Sequence, residues 1–212
     1  MGLENVTECG ALFPTSYFPS ISLMASMLRS ESLTIEVCET FPKQTDRNRT
    51  VIVTANGPMT LSVPIVRRNG NHTTTGRIGI SYAEPWNRNH WRAIVTAYSS
   101  SPFFLYYRDD IEEALMRHYD NLIDLNDTLT TILLQKLKCP NTINHTTDFV
   151  RDVNVNKDYR NRYSYKHPES LSDIPAYEQV FGDRMAFNGN VSVLDTLFNL
   201  GPEAKDYLLG IN

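Results

Sequence analysis

The opening stretch of the chain constrains the fold most. Residues 10–18 form an apolar run that ends in a polar loop, and Pro19 then opens a helix to about Arg29. Within that helix Ile21, Met24 and Leu28 recur at three-to-four spacing, whereas Leu33–Cys38 alternates at period two. A strand, a short helix and a second strand predict parallel pairing, because a crossover helix returns the chain to begin the second strand beside the first. The expected fold is α/β: a mixed sheet with flanking helices, a Rossmann-like βαβ start, an antiparallel hairpin and a helical C-terminal half.

Further elements follow from pattern. Val51–Ala55 and Met59–Val66 flank Asn56-Gly57, a strong two-residue hairpin signal. Pro64 lacks an N–H and places the second of these strands at an edge. Gly76–Tyr82 reads as another strand, and Glu84-Pro85 opens a helix to Tyr98 with Trp91, Ile94, Val95 and Tyr98 on its apolar face. A helical region from Phe103 to Lys138, interrupted near Asp120-Asn121, carries stripes through Tyr107, Ile111 and Leu115 and then Leu122, Leu125, Leu129, Ile132 and Leu133. Residues 141–176 are polar and Asn-rich and are expected to cross the surface, with room for a short strand. Asp173–Phe181 reads as helical, and Val191–Leu200 as an amphipathic helix capped by Asn190 and ended by Gly201-Pro202. No repeat or boundary interrupts the pattern, so residues 1–212 are expected to form one domain, with 141–176 as its variable excursion.

Composition narrows the chemistry. The 212 residues are 41% hydrophobic and 21% charged with a net charge of −4, ordinary globular values that exclude fibrous and low-complexity chains. Met1–Cys9 has neither a basic start nor an apolar core of signal-peptide type, and no apolar run is long enough to span a bilayer, so a cytoplasmic location is expected. Cys9, Cys38 and Cys139 lie far apart with no CxxC. The five histidines show no paired-ligand spacing, and the phosphate-loop, dinucleotide, nucleophile-elbow and HExxH motifs are all missing. Neither a metal nor a cofactor is expected.

The charge is unevenly spread. From Lys43 to Arg92 eight basic residues stand against two acidic ones, so the remaining 162 residues carry a net −10. One basic tract in an acidic chain favours a small anion over nucleic acid. Extended, Lys43, Thr45, Arg47 and Arg49 point the same way and offer three cations with a hydroxyl. The same residues also suit a solvated hairpin whose charges pair with the acidic remainder. His90, on the helix after Trp86, is either a proton acceptor or a half-buried helix histidine. Glu36 and Glu39, at a strand end, are either proton acceptors or surface carboxylates.

Five motifs in order carry a family resemblance: Leu12-Phe-Pro-Thr-Ser-Tyr-Phe-Pro19, Lys43-Gln-Thr-Asp-Arg-Asn-Arg49, Trp86 with His90-Trp91, Ala97-Tyr-Ser-Ser-Ser-Pro-Phe-Phe104 with Tyr106-Tyr107, and Val191–Pro202. Together the sequence resembles the WbqC-like protein family over nearly the whole chain except 141–170. That family is associated with gene clusters for O-antigen and other surface polysaccharides. The resemblance implies a transferase, of acyl or aminoacyl type, acting on a nucleotide-linked amino sugar. Lys43, Arg47 and Arg49 would hold phosphate, His90, Glu36 or Glu39 would take the proton, and Asn48 and Tyr98 would orient the substrate. Gln44, Tyr17 and Trp86, from the same motifs, complete the candidate binding set. The sequence departs from the expected pattern at Asp46 (Tyr expected), Cys38 (His expected) and Leu105 (an acid expected). Those departures favour a second reading, a non-catalytic binding or assembly protein of the same pathway. The oligomeric state is not legible.

Overall fold

The structure is a computed structural model that describes residues 11–139, 141–151, 153–154, 157–163, 174–189 and 191–211. Its fold is mixed α/β. β1 (Ala11–Phe13), α1 (Ile21–Arg29) and β2 (Leu33–Ile35) form the expected crossover, with β1 and β2 parallel in the register Ala11↔Leu33 to Phe13↔Ile35. Ile21–Leu28 are all buried, as a crossover helix packed on a sheet demands. Pro19 stands two residues before the first helical position that it was expected to fill. Ser20 caps the helix, its side chain accepting from the Leu23 N–H, and so satisfies a donor that has no partner inside the helix.

The excursion after residue 141 does more than cross the surface. It supplies β7 (Ile143–His145), which pairs parallel with the far side of β2 and makes the order β1-β2-β7. It then returns to the other edge, where Asp158 bridges to Leu12 and the Tyr159 N–H donates to the Leu12 carbonyl. Exposed backbone edges need partners, and this polar segment covers both edges of a short sheet.

β3 (Arg49–Thr54) and β4 (Gly57–Ser62) form the hairpin with Thr54 opposite Gly57. The turn is displaced by one residue. Ala55 and Asn56 occupy its centre without positive φ, and Gly57 takes the left-handed position at φ 102°. The expected strand 59–66 is divided at Val63-Pro64: β4 ends at Ser62, and β5 (Ile65–Arg67) pairs with β6 (Ile78–Ile80) instead. A proline cannot donate to the ladder, and the chain changes partner there.

α2 (Trp86–Tyr98), α3 (Phe104–Met116) and α4 (Leu122–Lys136) follow the apolar stripes. α5 (Val193–Leu200) begins later than expected, capped by Ser192, whose side chain accepts from the Leu194 N–H. Asn190 lies outside the described residues. α6 (Ala204–Leu209) closes the chain against α1. The helix expected over 173–181 does not form among the described residues. The Gln179 side chain bonds the Asn188 backbone through both its amide and its carbonyl, and Tyr177 donates to Asp195, so tertiary bonds replace helical ones. Among the described residues no helix is long and apolar enough to cross a membrane.

The core runs from Phe13, Met24 and Leu33 through Ile52, Ile94 and Leu125 to Leu197 and Phe198, all fully buried. Each such side chain contributes about 1.5–3 kcal/mol. Gly201 closes α5 at φ 54°, and a Cβ there would lie 2.4 Å from the Phe103 ring. Gly201→Ala is therefore expected to cost about 2–4 kcal/mol through overpacking and left-handed strain. The drop would be read as a thermal midpoint lowered by at least roughly 4 °C.

Candidate functional site

A cavity of about 190 Å³ opens where β1 ends. Open α/β sheets bind ligands at the carboxyl ends of their strands, because the loops diverge there. Pro14–Ser16 form one wall. Ser20 and Ser192, the caps of α1 and α5, form another, joined to each other by a β-bridge. The loop Pro42–Arg47, the start of β3 and the returning excursion Tyr159–Tyr163 complete it. The loop is not extended as expected. Gln44 is left-handed at φ 50° and Asp46–Asn48 form a 3₁₀ turn, yet Lys43, Thr45, Arg47 and Arg49 all still line the same cavity.

The two arginines of that run differ in state. Arg47 is buried, and each of its three guanidinium nitrogens has an acceptor. Its Nε and Nη2 lie 2.7 and 2.6 Å from Glu39 Oε1, Nη1 donates to Thr45 Oγ1 at 2.7 Å, and Nη2 also donates to the Arg160 carbonyl at 3.3 Å. Burial raises the Glu39 pKa against the pull of Arg47. Arg49 is half-buried, and its Nε is shielded from solvent with no hydrogen-bond partner among the described residues. An unpartnered buried donor of a charged group carries a desolvation cost that a bound acceptor would remove. The N-termini of α1 and α5 add positive partial charge on the same side.

Behind the wall stands a second charged group. Glu36 is fully buried and accepts from the Cys38 N–H (2.8 Å), Thr146 Oγ1 (2.8 Å) and the Val150 N–H (3.1 Å), with Arg160 Nη1 at 3.5 Å. Arg160 is held by Asp158 and by the Val150 carbonyl. Sequence reasoning missed Arg160, together with Tyr159, Tyr163 and Asn126. Asn126 reaches from α4 and donates to Thr15 Oγ1 and to the Arg47 carbonyl. The signal was there in Asp158-Tyr-Arg-Asn-Arg-Tyr163, where aromatic and charged residues interleave inside an otherwise Asn-rich stretch.

Lys43, Gln44, Arg47 and Arg49 thus come together at the cavity, and the other candidates lie elsewhere. Tyr17 is fully buried and shares a 2.9 Å hydrogen bond with His90 Nδ1, in an aromatic group with Trp86 and Tyr82. Burial lowers the His90 pKa to about 4 and raises that of Tyr17. Asn48 donates to the Val63 carbonyl where β4 gives way to β5. The buried Tyr98 hydroxyl accepts from the Val53 N–H and ties α2 to β3. Of the three departures, Asp46 lines the cavity, Cys38 lies on the Glu36 loop with Sγ 3.6 Å from the Thr146 carbonyl, and Leu105 is exposed on α3. Among the described residues no group of three or more His, Cys, Asp or Glu side chains is placed to hold a metal ion.

The molecule is therefore an α/β protein with a small cavity at the end of its first strand and, on the wall, an arginine whose shielded Nε has no hydrogen-bond partner among the described residues. Residues 15–164 match the WbqC-like protein family, and the chain belongs to that family. It is also 25% identical over 196 residues to Rv1507c of Mycobacterium tuberculosis strain H37Rv, covering 79% of this chain and 83% of that one. That relative is described only as an uncharacterized protein. No solved structure matches. The family region takes in Arg47, Arg49, Glu36, Glu39 and the excursion through Tyr163, whereas α5 and α6 lie beyond it.

The pKa of His90 gives a pH signature. Its folded value of about 4 lies below the ordinary 6.5, so the uncharged ring is compatible with the fold above pH 6.5. As pH falls from 6.5 to 4 the unfolded chain takes up a proton that the folded chain refuses, and stability drops by about 3 kcal/mol. Denaturant titrations across that range should show this loss in the native protein and its absence in His90→Gln.

Proposed function

We propose that this WbqC-like protein binds a small anionic metabolite of surface-polysaccharide assembly, with Arg49 holding the charge. The observation that carries the reading is the solvent-shielded Arg49 Nε without a partner, on the wall of a cavity at the end of β1. Neighbouring arginines do not compete for the ligand, because Glu39 and Asp158 already occupy them. The link to surface polysaccharides comes from the company the family keeps in gene clusters, and a cytoplasmic location goes with it.

Support for binding over transfer comes from where the proton acceptors sit. His90 is turned into the aromatic group, Glu36 is enclosed behind the wall, and Glu39 is joined to Arg47. A transfer step on a nucleotide-linked amino sugar would need a base on the cavity wall, and Asp46 is the carboxylate that lines it.

Thermal-shift and calorimetric titrations with sugar acids, sugar phosphates and nucleotide sugars test this reading. A ligand at about 100 times its Kd stabilises by about 2.7 kcal/mol, a rise in Tm of several degrees. Arg49→Gln should abolish that rise and leave the Tm of the free protein within about a degree. Arg47→Ala should instead lower the free-protein Tm by roughly 6 °C or more, since it strands Glu39 in a buried site at a cost of about 3–5 kcal/mol. Undiminished binding by Arg49→Gln would overturn the assignment.

A further inference from the structure

We infer that the occupant of this cavity carries a single negative charge, a carboxylate on a skeleton no larger than a monosaccharide, and that nucleotide diphosphates are excluded. The inference rests on the cavity being the anion site argued above and narrows what that site accepts.

Charge is the first argument. Four cations, Lys43, Arg47, Arg49 and Arg160, line the cavity. Against them stand four carboxylates: Asp46 on the wall, Glu39 on Arg47, and Glu36 and Asp158 on Arg160. Among the described residues this set is formally neutral, and the shielded Nε of Arg49 lacks a hydrogen-bond partner. A carboxylate matches that open donor edge in shape, because its two oxygens meet the Nε–Nη edge of an arginine side by side. A phosphomonoester at pH 7 carries about −1.5 to −2. Its extra charge would face Asp46 and a wall with no further unpaired arginine. The pyrophosphate of a nucleotide sugar, with one negative charge on each phosphate, is likewise a dianion and is bulkier.

Asp46 deepens the point. In the family resemblance this position is expected to be Tyr, and here an acid lines the cavity three residues from Arg49. The departure lowers the formal charge of the pocket by one unit, which disfavours a dianion more than a monoanion because the repulsion from the acid scales with the ligand's charge.

Size and lining agree. A volume of about 190 Å³ is below the roughly 300–1,000 Å³ of pockets that enclose larger ligands. Tyr159 is stacked on Phe13 at 4.7 Å between ring centres, with Tyr163 6.1 Å beyond, which makes one wall flat and apolar. Thr15, Ser16 and Asn161 supply hydroxyl and amide partners around it. A small skeleton with an apolar face and several hydroxyls fits such a wall.

The test uses neutral glucose, the monoanion glucuronate and two near-dianions, glucose 6-phosphate and the bulkier UDP-glucose, with lactate as a smaller acid, titrated calorimetrically into the full chain at pH 7. Glucuronate or lactate should bind at least tenfold tighter than either phosphate ligand, with glucose weakest. Arg49→Gln should remove the preference for the acid. Asp46→Asn should raise affinity for glucose 6-phosphate severalfold and narrow the gap. If glucose 6-phosphate or UDP-glucose binds as tightly as the acids and needs Arg49, the charge rule is overturned while the anion site stands. If no anion binds, or binding ignores Arg49, both fall.

Discussion

The structure depends on a buried carboxylate. Glu36 sits at the end of β2 with no solvent exposure, and an ionised group in that position is tolerated only when bonded on every side. Its partners come from the chain just after β2 and from the excursion: the Cys38 N–H, Thr146, the Val150 N–H and Arg160. Satisfying one carboxylate thereby fixes a polar segment more than a hundred residues away, which has few apolar side chains of its own to bury. Arg160 is then held by Asp158, and its carbonyl receives Arg47, which in turn holds Glu39. A chain of ion pairs and hydrogen bonds runs from the sheet to the cavity wall, where the Arg49 Nε has no hydrogen-bond partner among the described residues.

The family motifs separate into different physical jobs. The Lys43–Arg49 run and the residues after β1 shape the cavity, whereas Trp86 and His90 join Tyr17 in a closed aromatic group and Val191–Pro202 builds α5 with its tight end at Gly201. The His90 Nδ1 is engaged by the Tyr17 hydroxyl, burial lowers its pKa, and its ring lies in that aromatic group and not on the cavity wall. Within the Lys43–Arg49 run itself, a 3₁₀ turn at Asp46–Asn48 sends two arginines, two residues apart, to different fates: one into a buried pair and one to an open wall.

Much of the fold was legible in the sequence where the signal is local. The βαβ start, the three long helices α2, α3 and α4 and the presence of a hairpin follow from periodicity, Pro and Gly, because hydrophobic spacing reports which face of an element is buried. The hairpin register slipped by one residue because Gly57 serves the turn from its last position, leaving Asn56 in ordinary backbone geometry. The strand through Pro64 and the helix over 173–181 were misread for a shared reason: tertiary bonds to β6 and to Asp195 outweighed local preference. The excursion was the least legible part, since a polar segment whose order comes from ion pairs carries no apolar period to read.

For the site, the sequence by itself determined that seven arginines and a lysine would crowd 50 residues, and that Lys43, Arg47 and Arg49 would stand close together in space. Only the tertiary structure decided that Arg47 pairs with Glu39 while the Arg49 Nε has no hydrogen-bond partner among the described residues. Glu39 lies near Arg47 in sequence, but Glu36, Asp158 and Arg160 meet only because β2 and the excursion share a sheet. Pairing of charges is a property of distances between remote segments, and a linear sequence specifies charge without specifying those distances.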